Sequence, residues 1–455
     1  MIARRAPARP AAAAAVAHVA AAVLCVLVTR ASPSLANGRF PAAGQLAVDP
    51  NDGGHIVVRT TFGLLQTVDG GATWSWVCER AVSADGFEDP EVMITTGGRV
   101  ALGLADGLAV GDRSGCQWTR AAALAGDDVI DLVVNGGDPA TAYAAAVVRV
   151  DGAFNGLVAG TSDGVSWSAP GPLLADTYPL TIESASSRPR RLYLGANDGN
   201  LESGFIDVSD DGGATWTVRD SPGGVDAVYV SAVDPDDADR VYVRSYSPDS
   251  KVYVSEDGAR TWTAIAESPV PLLGFSLSPD GRQIAVGSKQ GLTILARADG
   301  AGADAGAGSV YTMTATNPLP VGCLTWTTRG LFVCADEASA GFTIGVSVDA
   351  GRTFTSLLHL ADLTPASCAA GTAAASCAGE WCATAAQIGA ACAPPVDAAV
   401  DVAGDGGGRP VSRTTAGCAC DVERDRPVAA SLSAVAALAM ILGAGCVAWR
   451  FRRNR

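Results

Sequence analysis

Two groups of aspartates have the residue type and close spacing that acid/base chemistry requires. Asp49 and Asp52 surround one Asp-Pro step, and Asp234, Asp236 and Asp237 surround another. Paired carboxylates can act as general acid and base, and their oxygens can bind Ca²⁺, although EF-hand spacing is absent. Such steps are also ordinary turn formers, because the carboxylate accepts hydrogen bonds from nearby backbone N–H groups. We therefore interpret all five as turn residues.

Histidines and tyrosines supply no assignable catalytic set. His55 falls in a predicted strand, His359 follows the last repeat, and His18 lies in an N-terminal apolar run. Only His55 and His359 could act as the base of a Ser-His-Asp site, and no nucleophile elbow accompanies them. A polar cluster in one predicted blade comprises Tyr242, Tyr246, Tyr253, Arg240 and Arg244. Strand alternation makes most of these face or edge residues, so catalytic residues are unknown and no cofactor or metal site is predicted.

The middle of the chain is strongly acidic. The 455 residues carry a net charge of -15, and residues 37–417 alone hold 44 acidic and 22 basic residues. Such a surface repels phosphate backbones, which argues against nucleic acid as a partner. A hydrophobic content of 48% with 53 glycines indicates a folded, turn-rich body.

The N-terminal segment has the features of a secretory signal. Arg4, Arg5 and Arg9 precede an apolar run over residues 11–28, and small residues follow up to Ala36. This order predicts a signal peptide over residues 1–36 that signal peptidase removes at Ala36. An uncleaved N-terminal anchor is the alternative.

The C-terminal end has the features of a membrane anchor. Residues 428–449 contain no charge, and these 22 residues are enough to span the hydrocarbon core of a bilayer. An arginine cluster follows, at Arg450, Arg452, Arg453 and Arg455. The positive-inside rule then places the C-terminus in the cytoplasm and the body outside. Residues 393–417, rich in Ala, Pro, Asp and Gly, predict a flexible linker before this tail.

A short motif precedes the predicted spanning helix. Gly417-Cys418-Ala419-Cys420, a spanning segment and a terminal arginine cluster follow one another over residues 418–455. This order resembles the MYXO-CTERM sorting tail of myxobacterial surface proteins. The resemblance implies that a sorting protease cuts near Cys418, with a lipid on that cysteine as a further implication. The charged stretch 421–426 departs from the pattern and leaves the cleaved residue open, and a permanent single-pass anchor is the alternative.

The body of the chain is an internal repeat. Thr67-Val68-Asp69-Gly70-Gly71-Ala72-Thr73-Trp74 recurs in four clear copies, and weaker copies end at Trp118 and Trp167. The motif residues that we single out are Asp69, Gly71, Trp74, Asp163, Trp167, Asp211, Gly213, Trp216, Asp257, Trp262, Asp349, Gly351 and Phe354. The closing aromatics are 44, 49, 49, 46 and 92 residues apart. Because the last step is twice 46, a decayed copy is expected near residue 308, which makes seven units.

Each unit predicts four short strands. In the first unit, β-branched and aromatic stretches at 45–48, 55–60, 64–67 and 73–77 are separated by Asp-Pro, Gly-Gly and Asp-Gly turns. The motif is the third turn, and its aromatic starts the fourth strand and packs inward. Four-stranded units with this period predict an all-β, seven-bladed β-propeller over residues 37–362.

The repeated turn resembles the Asp-box, also called the BNR repeat, over residues 42–360. Asp-box propellers include sialidases, xyloglucanases, sortilin-type receptors and a photosystem II assembly factor, so the resemblance implies the fold without fixing the activity. Sialidases carry a Phe/Tyr-Arg-Ile-Pro motif before the first box, where this chain has Gly38-Arg39-Phe40-Pro41. Xyloglucanases join two propellers around a cleft, whereas this repeat supplies one.

Ten of the twelve cysteines lie between the predicted signal and the spanning helix, in a compartment where disulfides persist. Continuing the pairing of residues 327 and 330 places Cys323 opposite Cys334, which predicts a cross-strand bridge. Cys78 and Cys116 predict a staple between blades 1 and 2. A Cys-rich segment over residues 363–392 holds four more, with open connectivity: Cys368, Cys377, Cys382 and Cys392.

These features predict an exported propeller of the cell envelope that binds a protein or glycan partner without catalysis. The alternative is an Asp-box glycoside hydrolase acting on extracellular glycans, because an acidic body can hold paired carboxylates. An envelope assembly factor is a third hypothesis, although an acidic body offers little room for a basic docking patch.

Overall fold

The structure is a computed structural model that describes residues 41–84, 89–224, 227–245, 249–298 and 310–392. The predicted signal peptide with Ala36, the linker, and the tail with Cys418 and the expected helix 428–449 lie outside these ranges. Within them, no helix has the length and apolar character needed to cross a membrane.

Seven antiparallel sheets form the blades, which confirms the predicted seven-bladed, four-stranded propeller. Blade 1 consists of β1 (Ala43–Val48), β2 (Ile56–Thr60), β3 (Gly63–Thr67) and β4 (Ser75–Val77). Blade 2 consists of β5 (Glu91–Thr95), β6 (Arg99–Leu104), β7 (Gly107–Gly111) and β8 (Trp118–Arg120). Blade 3 consists of β9 (Asp128–Val134), β10 (Ala142–Val150), β11 (Ala153–Thr161) and β12 (Leu174–Ala175).

The remaining four blades repeat this pattern. Blade 4 consists of β13 (Thr177–Ser184), β14 (Leu192–Asp198), β15 (Gly204–Ser209) and β16 (Thr217–Asp220). Blade 5 consists of β17 (Val228–Val233), β18 (Val241–Ser245), β19 (Ser250–Ser255) and β20 (Thr263–Ser268). Blade 6 consists of β21 (Leu272–Leu277), β22 (Gln283–Ser288), β23 (Gly291–Ala298) and β24 (Val310–Asn317). Blade 7 consists of β25 (Val321–Thr327), β26 (Gly330–Ala335), β27 (Ile344–Ser347) and β28 (Thr355–Leu358).

Strand composition follows position within the blade. Middle strands such as β3 and β14 are buried over most of their length, because neighbouring blades cover both faces. The outermost strands β8 and β16 are short and largely exposed. Short, polar outer strands limit edge-to-edge pairing with other chains.

The repeated turn joins the third and fourth strands and is held by its own aspartate. In blade 4, the Thr215 backbone N–H donates to Asp211 Oδ1 at 2.8 Å, and the Thr215 hydroxyl donates to Oδ2 at 2.6 Å. The Ser209 hydroxyl donates to Asp211 Oδ1 and accepts from the Gly213 N–H, both at 2.9 Å. The Thr215 donors lower the pKa of Asp211 to about 2.

The same bonds recur in three other blades. The corresponding aspartates accept from a threonine N–H and hydroxyl four residues on, and these aspartates are Asp69, Asp257 and Asp349. The weaker copy at Asp163 forms a shorter turn, in which Oδ1 accepts from the Val165 and Ser166 N–H groups. The decayed copy would join β23 to β24, and most of that connection lies outside the described residues.

The closing aromatics pack between blades. Trp74 lies immediately before β4 and donates its Nε1–H to the Leu357 carbonyl of blade 7 at 3.0 Å. Gly71 and Gly213 adopt φ angles of 98° and 92°, which glycine tolerates best. The Trp74 and Trp167 side chains are buried, whereas those of Trp216, Trp262 and Phe354 are half-buried.

Residues 363–392 form a segment, here called the C-terminal clasp, that packs on the outside of blade 1. Its strand β29 (Thr364–Pro365) pairs in parallel with β4. Two of its side chains, Cys377 and Trp381, share a buried core with Trp76, and the Trp76 and Trp381 ring centroids lie 5.6 Å apart. Short helices complete the structure: α1 (Glu79–Val82), α2 (Glu337–Ala340), α3 (Trp381–Ile388) and five 3₁₀ turns among the described residues.

The disulfides agree with the sequence analysis in one pair and correct it in others. Cys323 pairs with Cys334 in the expected register, and the two are bonded. Cys78 and Cys116 do not bond to each other, so the predicted staple between blades 1 and 2 is wrong. The clasp runs past both cysteines and supplies their partners, with Cα–Cα distances of 5.3 Å for Cys78–Cys377 and 5.5 Å for Cys116–Cys368. Cys382–Cys392 is the pair within the clasp.

We predict that the clasp disulfides contribute more stability than the hairpin disulfide. Replacing Cys78 and Cys377 by serine opens the outer of two nested links, and Cys116–Cys368 still closes the inner one, so a loop of about 47 residues is released. The lost loop-closure entropy should lower the free energy of unfolding by about 3 to 5 kcal/mol. Denaturant unfolding measures this loss. The matched control replaces Cys323 and Cys334, which are 11 positions apart. A larger loss in the control would contradict the prediction.

Candidate functional site in the central channel

The seven inner strands line a central channel whose shape depends on β-bulges. In six of these strands one residue has no partner on the second strand, and these residues are Gly44, Ile130, Leu180, Ser231, Leu273 and Gly322. A bulge places two consecutive side chains on the same side of a strand. On β13, residues 178, 180, 181 and 183 are accordingly half-buried, while 177, 179, 182 and 184 are buried.

Hydrogen bonds join neighbouring inner strands around the channel. In four of them, a side-chain oxygen of one blade accepts a hydrogen bond from a backbone N–H of the next blade. The acceptor and donor residues are Gln45 and Val92 (2.7 Å), Asp131 and Ile182 (2.7 Å), Thr181 and Val230 (2.8 Å), and Ser276 and Trp326 (2.8 Å). The Thr325 hydroxyl of blade 7 donates to the Leu46 carbonyl of blade 1 at 2.8 Å. Polar side chains therefore fix the spacing of the blades.

One arc of the channel carries charged groups that raise or lower each other's pKa. Burial raises the pKa of Asp131 well above its ordinary value, and the nearby Glu91 carboxylate adds to this increase. Burial also raises the pKa of Glu183 well above its ordinary value, with a further contribution from Asp131. Burial also raises the pKa of Glu91, and the positive charges of Arg59 and Arg244 make this increase smaller. The arc can therefore hold protons on carboxyl groups at pH values where exposed carboxyls are ionised.

Two of these side chains form no direct hydrogen bond or ion pair in the described part of the chain. Asp131 accepts from the Ile182 and Leu132 backbone N–H groups, but neither Glu183 nor Arg244 forms a hydrogen bond or ion pair within the described ranges. Arg244 lies over the Tyr229 ring, 5.7 Å from its centroid. Both side chains are half-buried and line the channel cavity. They are the groups most available to a ligand.

The opposite arc of the channel is apolar. Blades 6 and 7 contribute Leu273, Phe275 and Leu324 to the lining, and Leu273 is 37% exposed. The cavity enclosed by both arcs has a volume of about 340 Å³, which falls within the size range of small-ligand sites. A ligand with hydrogen-bonding edges and an apolar face would match both arcs.

The aspartates singled out from the sequence lie in turns and not in the channel. Asp49 Oδ1 accepts from the Asn51 N–H at 2.9 Å, and Asp234 Oδ1 accepts from the Asp236 N–H at 3.0 Å. Asp234 also pairs with Arg240 and Arg297. Their interpretation as turn residues is confirmed. No group of three candidate metal ligands occurs in the described ranges.

The histidines and most of the polar cluster of blade 5 lie outside the channel and do not form a single site. His55 is fully buried beside Asp49, and burial lowers the pKa of its imidazole. His359 lies within 3.0 Å of the Ser356 hydroxyl, outside the channel lining. Tyr242 is buried and shares a hydrogen bond of 3.1 Å with Tyr311. Tyr246 lies outside the described residues, and of the other four members of the cluster Arg244 alone lines the channel.

The sequence analysis missed Arg59, Glu91, Asp131 and Glu183. They belong to no motif and are far apart in the chain. Carboxylates inside otherwise apolar inner strands, as in the Asp128–Val134 sequence DVIDLVV, were the available signal, because a charge is costly to bury unless it is paired and hydrogen-bonded.

The fold and this channel define the protein as a seven-bladed β-propeller with a polar central cavity. No family model matches the chain, and no curated protein matches it. Among solved structures, an ancestral GH74 enzyme is similar, with a TM-score of 0.52, 13% identity and coverage of 70% of this chain and 46% of the enzyme. The chain therefore spans less than half of that enzyme's length.

Two further solved structures are similar to this chain. Hydrazine synthase of Kuenenia stuttgartiensis gives a TM-score of 0.49 at 12% identity, over 70% of this chain and 99% of the other. YCF48 bound to D1 peptide gives 0.41 at 12% identity, over 65% and 89%. Because both TM-scores are below 0.5, these two similarities carry no argument, and the similarity to the GH74 enzyme, at 13% identity, shows the fold alone.

We predict that replacing Glu183 by glutamine changes how stability depends on pH. Burial raises the pKa of Glu183 above its unfolded value, so its contribution to the free energy of unfolding is fully present below the unfolded pKa and is lost as pH rises through the folded pKa. Glu183→Gln should flatten this decline and leave the variant more stable than the natural protein at about pH 8.

Denaturant unfolding between about pH 4 and pH 9 measures this effect. Glu202→Gln, which changes an exposed glutamate of the same blade, serves as the control and should leave the pH profile unchanged. Equal profiles for Glu183→Gln and the natural protein would refute the assignment of a raised pKa.

Proposed function

We propose that this protein is an exported binding module that takes a glycan in its central channel without chemically changing it. The observation that carries this proposal is the pair Glu183 and Arg244, which line the cavity without a direct hydrogen bond or ion pair in the described ranges. A carboxyl group and a guanidinium together accept and donate hydrogen bonds to sugar hydroxyls. Burying both groups costs free energy, and a ligand that forms hydrogen bonds with them would offset this cost.

The division of the channel into two arcs favours a sugar over a peptide. A sugar ring has hydroxyl groups at its edge and C–H groups on its faces, so its edge suits Glu183 and Arg244 and its face suits Leu273 and Phe275. A cavity of about 340 Å³ accommodates one end of a glycan. We place the rest of the glycan toward the mouth of the channel.

The repeated turns support an Asp-box type of propeller. Their aspartates are saturated by hydrogen bonds inside the turn, as at Asp257, where Oδ1 and Oδ2 accept from the Thr261 N–H and hydroxyl at 2.9 and 2.7 Å. These carboxylates thereby stabilise the scaffold and have no free capacity for a ligand. The channel is then the favoured place for binding.

We predict that Glu183→Gln and Arg244→Ala each weaken glycan binding by roughly tenfold or more. The first replaces a carboxyl oxygen that accepts hydrogen bonds with an amide nitrogen that cannot, and the second removes the donors of the guanidinium from a shielded cavity. Calorimetric titration of the full chain with cello-, xylo-, chito- and galacturonate oligosaccharides, from monosaccharides to hexasaccharides, measures this effect. Glu202→Gln again serves as the control. Absence of binding across these series, or equal binding by the variants, would contradict the proposal.

A glycoside hydrolase is the second candidate function. The observation that favours it is the interaction between Asp131 and Glu183, two carboxyls of raised pKa in one cavity, because such a pair can divide acid and base roles. The similarity to the GH74 enzyme gives the fold alone and adds nothing to this. In the same titrations, release of new reducing ends that Glu183→Gln abolishes would establish hydrolysis and replace the binding proposal.

Four disulfides indicate an exported protein. We propose in addition that residues 1–36 direct export and that the tail, of the MYXO-CTERM type with processing near Cys418, holds the propeller at the cell surface. The apolar stretch 428–449 and the following arginines support this proposal.

We predict that a chain lacking residues 428–455 is released into the medium, because it loses its one C-terminal apolar stretch. Fractionation of cells that express the shortened chain measures this, with the full chain as reference. Replacing Cys418 by alanine should retain the unprocessed tail, whereas Cys420→Ala is the matched control. Membrane retention of the shortened chain would instead identify an uncleaved N-terminal segment as the anchor.

A further inference from the structure

A group of four side chains lies where the inner strands β9 and β13 begin, beyond the residues that line the channel cavity. This group, here called the mouth cluster, consists of Asp128, Arg149, Phe154 and Tyr178. The Phe154 and Tyr178 rings meet edge to face with centroids 5.2 Å apart, and the Arg149 guanidinium lies 4.5 Å from the Phe154 centroid. Asp128 lies close enough to interact electrostatically with both Arg149 and Tyr178. All but Arg149, which is exposed, are half-buried.

A long hairpin carries half of the mouth cluster. Strands β10 and β11 have nine residues each, and β9 pairs with β10 only as far as Asp128 opposite Val147. Residues 148–150 and 153–155 therefore extend beyond the inner strand, closed by a turn at Asp151 and Gly152 with φ angles of 50° and 85°. Positive φ at both positions is typical of the tight type I′ hairpin turn. The extension brings Phe154, with Arg149 over its ring, against Tyr178 at the start of the inner strand β13.

The bulges align the mouth cluster with the charged arc of the channel. The bulge at Leu180 keeps Tyr178 on the same side of β13 as Glu183, as their shared half-buried state shows. The bulge at Ile130 likewise keeps Asp128 on the same side of β9 as Asp131. The bulge takes up one of the five steps from Tyr178 to Glu183, so at about 3.3 Å per residue the two lie roughly 13 Å apart along the strand. A short oligosaccharide spans this distance, whereas a single sugar does not.

We propose that the mouth cluster is a second sugar-binding subsite, so that the protein binds an oligosaccharide that extends from the channel cavity to the mouth. This inference rests on the proposed function and adds the length of the ligand to it. The Tyr178 and Phe154 rings supply an apolar surface for one sugar ring. Asp128 and Arg149 supply an acceptor and donors for its hydroxyls. The cavity holds the end of the chain at Glu183 and Arg244.

Truncation of Tyr178 tests this assignment, because it should affect long ligands and spare short ones. We expect Tyr178→Ala to weaken hexasaccharide binding by roughly tenfold and to leave monosaccharide binding unchanged. Tyr178→Phe, which keeps the ring, should retain most of the hexasaccharide affinity. Val218→Ala, at an exposed residue on the outermost strand of the same blade, is the matched control. The readout is calorimetric titration of the full chain with the oligosaccharide series described above.

The outcomes separate this inference from the proposed function. An equal loss for all ligand lengths, or no loss for any, would overturn the mouth subsite. Glu183→Gln should weaken ligands of every length, so its failure to do so would instead overturn the proposed function. Arg149→Ala, on the exposed hairpin, should reproduce the length-dependent loss if Tyr178→Ala unfolds, and a length-independent result there would also refute the subsite.

Discussion

Closure of the ring between blade 7 and blade 1 is the constraint on which the rest of the structure depends. The four strands of each blade are consecutive, so the first and last blades exchange none of these, and a fifth strand, β29 of the clasp, is added to the sheet of blade 1. The junction is held by Trp74, which donates to the Leu357 carbonyl, and by Thr325, which donates to the Leu46 carbonyl. The clasp strengthens it from outside through β29 and two long-range disulfides. An open ring would expose the apolar faces of both blades.

The channel exists only while the ring is closed, and this links stability to the candidate site. Glu91, Asp131 and Arg244 come from blades 2, 3 and 5, and each is partly removed from water by its neighbours. Gathering these charges in a shielded space has an energetic cost. The hydrogen bonds from one inner strand to the next, such as Asp131 to Ile182, help to hold the blades at that spacing. The clasp thus stabilises an arrangement that the channel alone would disfavour.

The sequence predicted what is local and missed what is distant. The repeated turns and the Cys323–Cys334 register follow from neighbouring residues, and both could be read directly. The partners of Cys78 and Cys116 depend on the path of the clasp, more than 250 residues further along the chain. The channel residues were invisible for a similar reason, because bulges at positions such as Leu180 set which side chains face it, and no sequence periodicity records a bulge.

Two sets of carboxyl groups among the described residues have pKa values that shift in opposite directions. In the repeated turns, donors from the same turn stabilise the charge and lower the pKa, as at Asp349, where it falls to about 2. In the channel, burial dominates and raises the pKa of Asp131 and Glu183. A turn carboxylate already accepts hydrogen bonds from its own turn and stabilises the scaffold. A channel carboxyl has lost hydrogen bonds to water on burial and can form new ones with a ligand. The direction of the shift therefore separates the conspicuous aspartates of the motif from the inconspicuous acids of the channel.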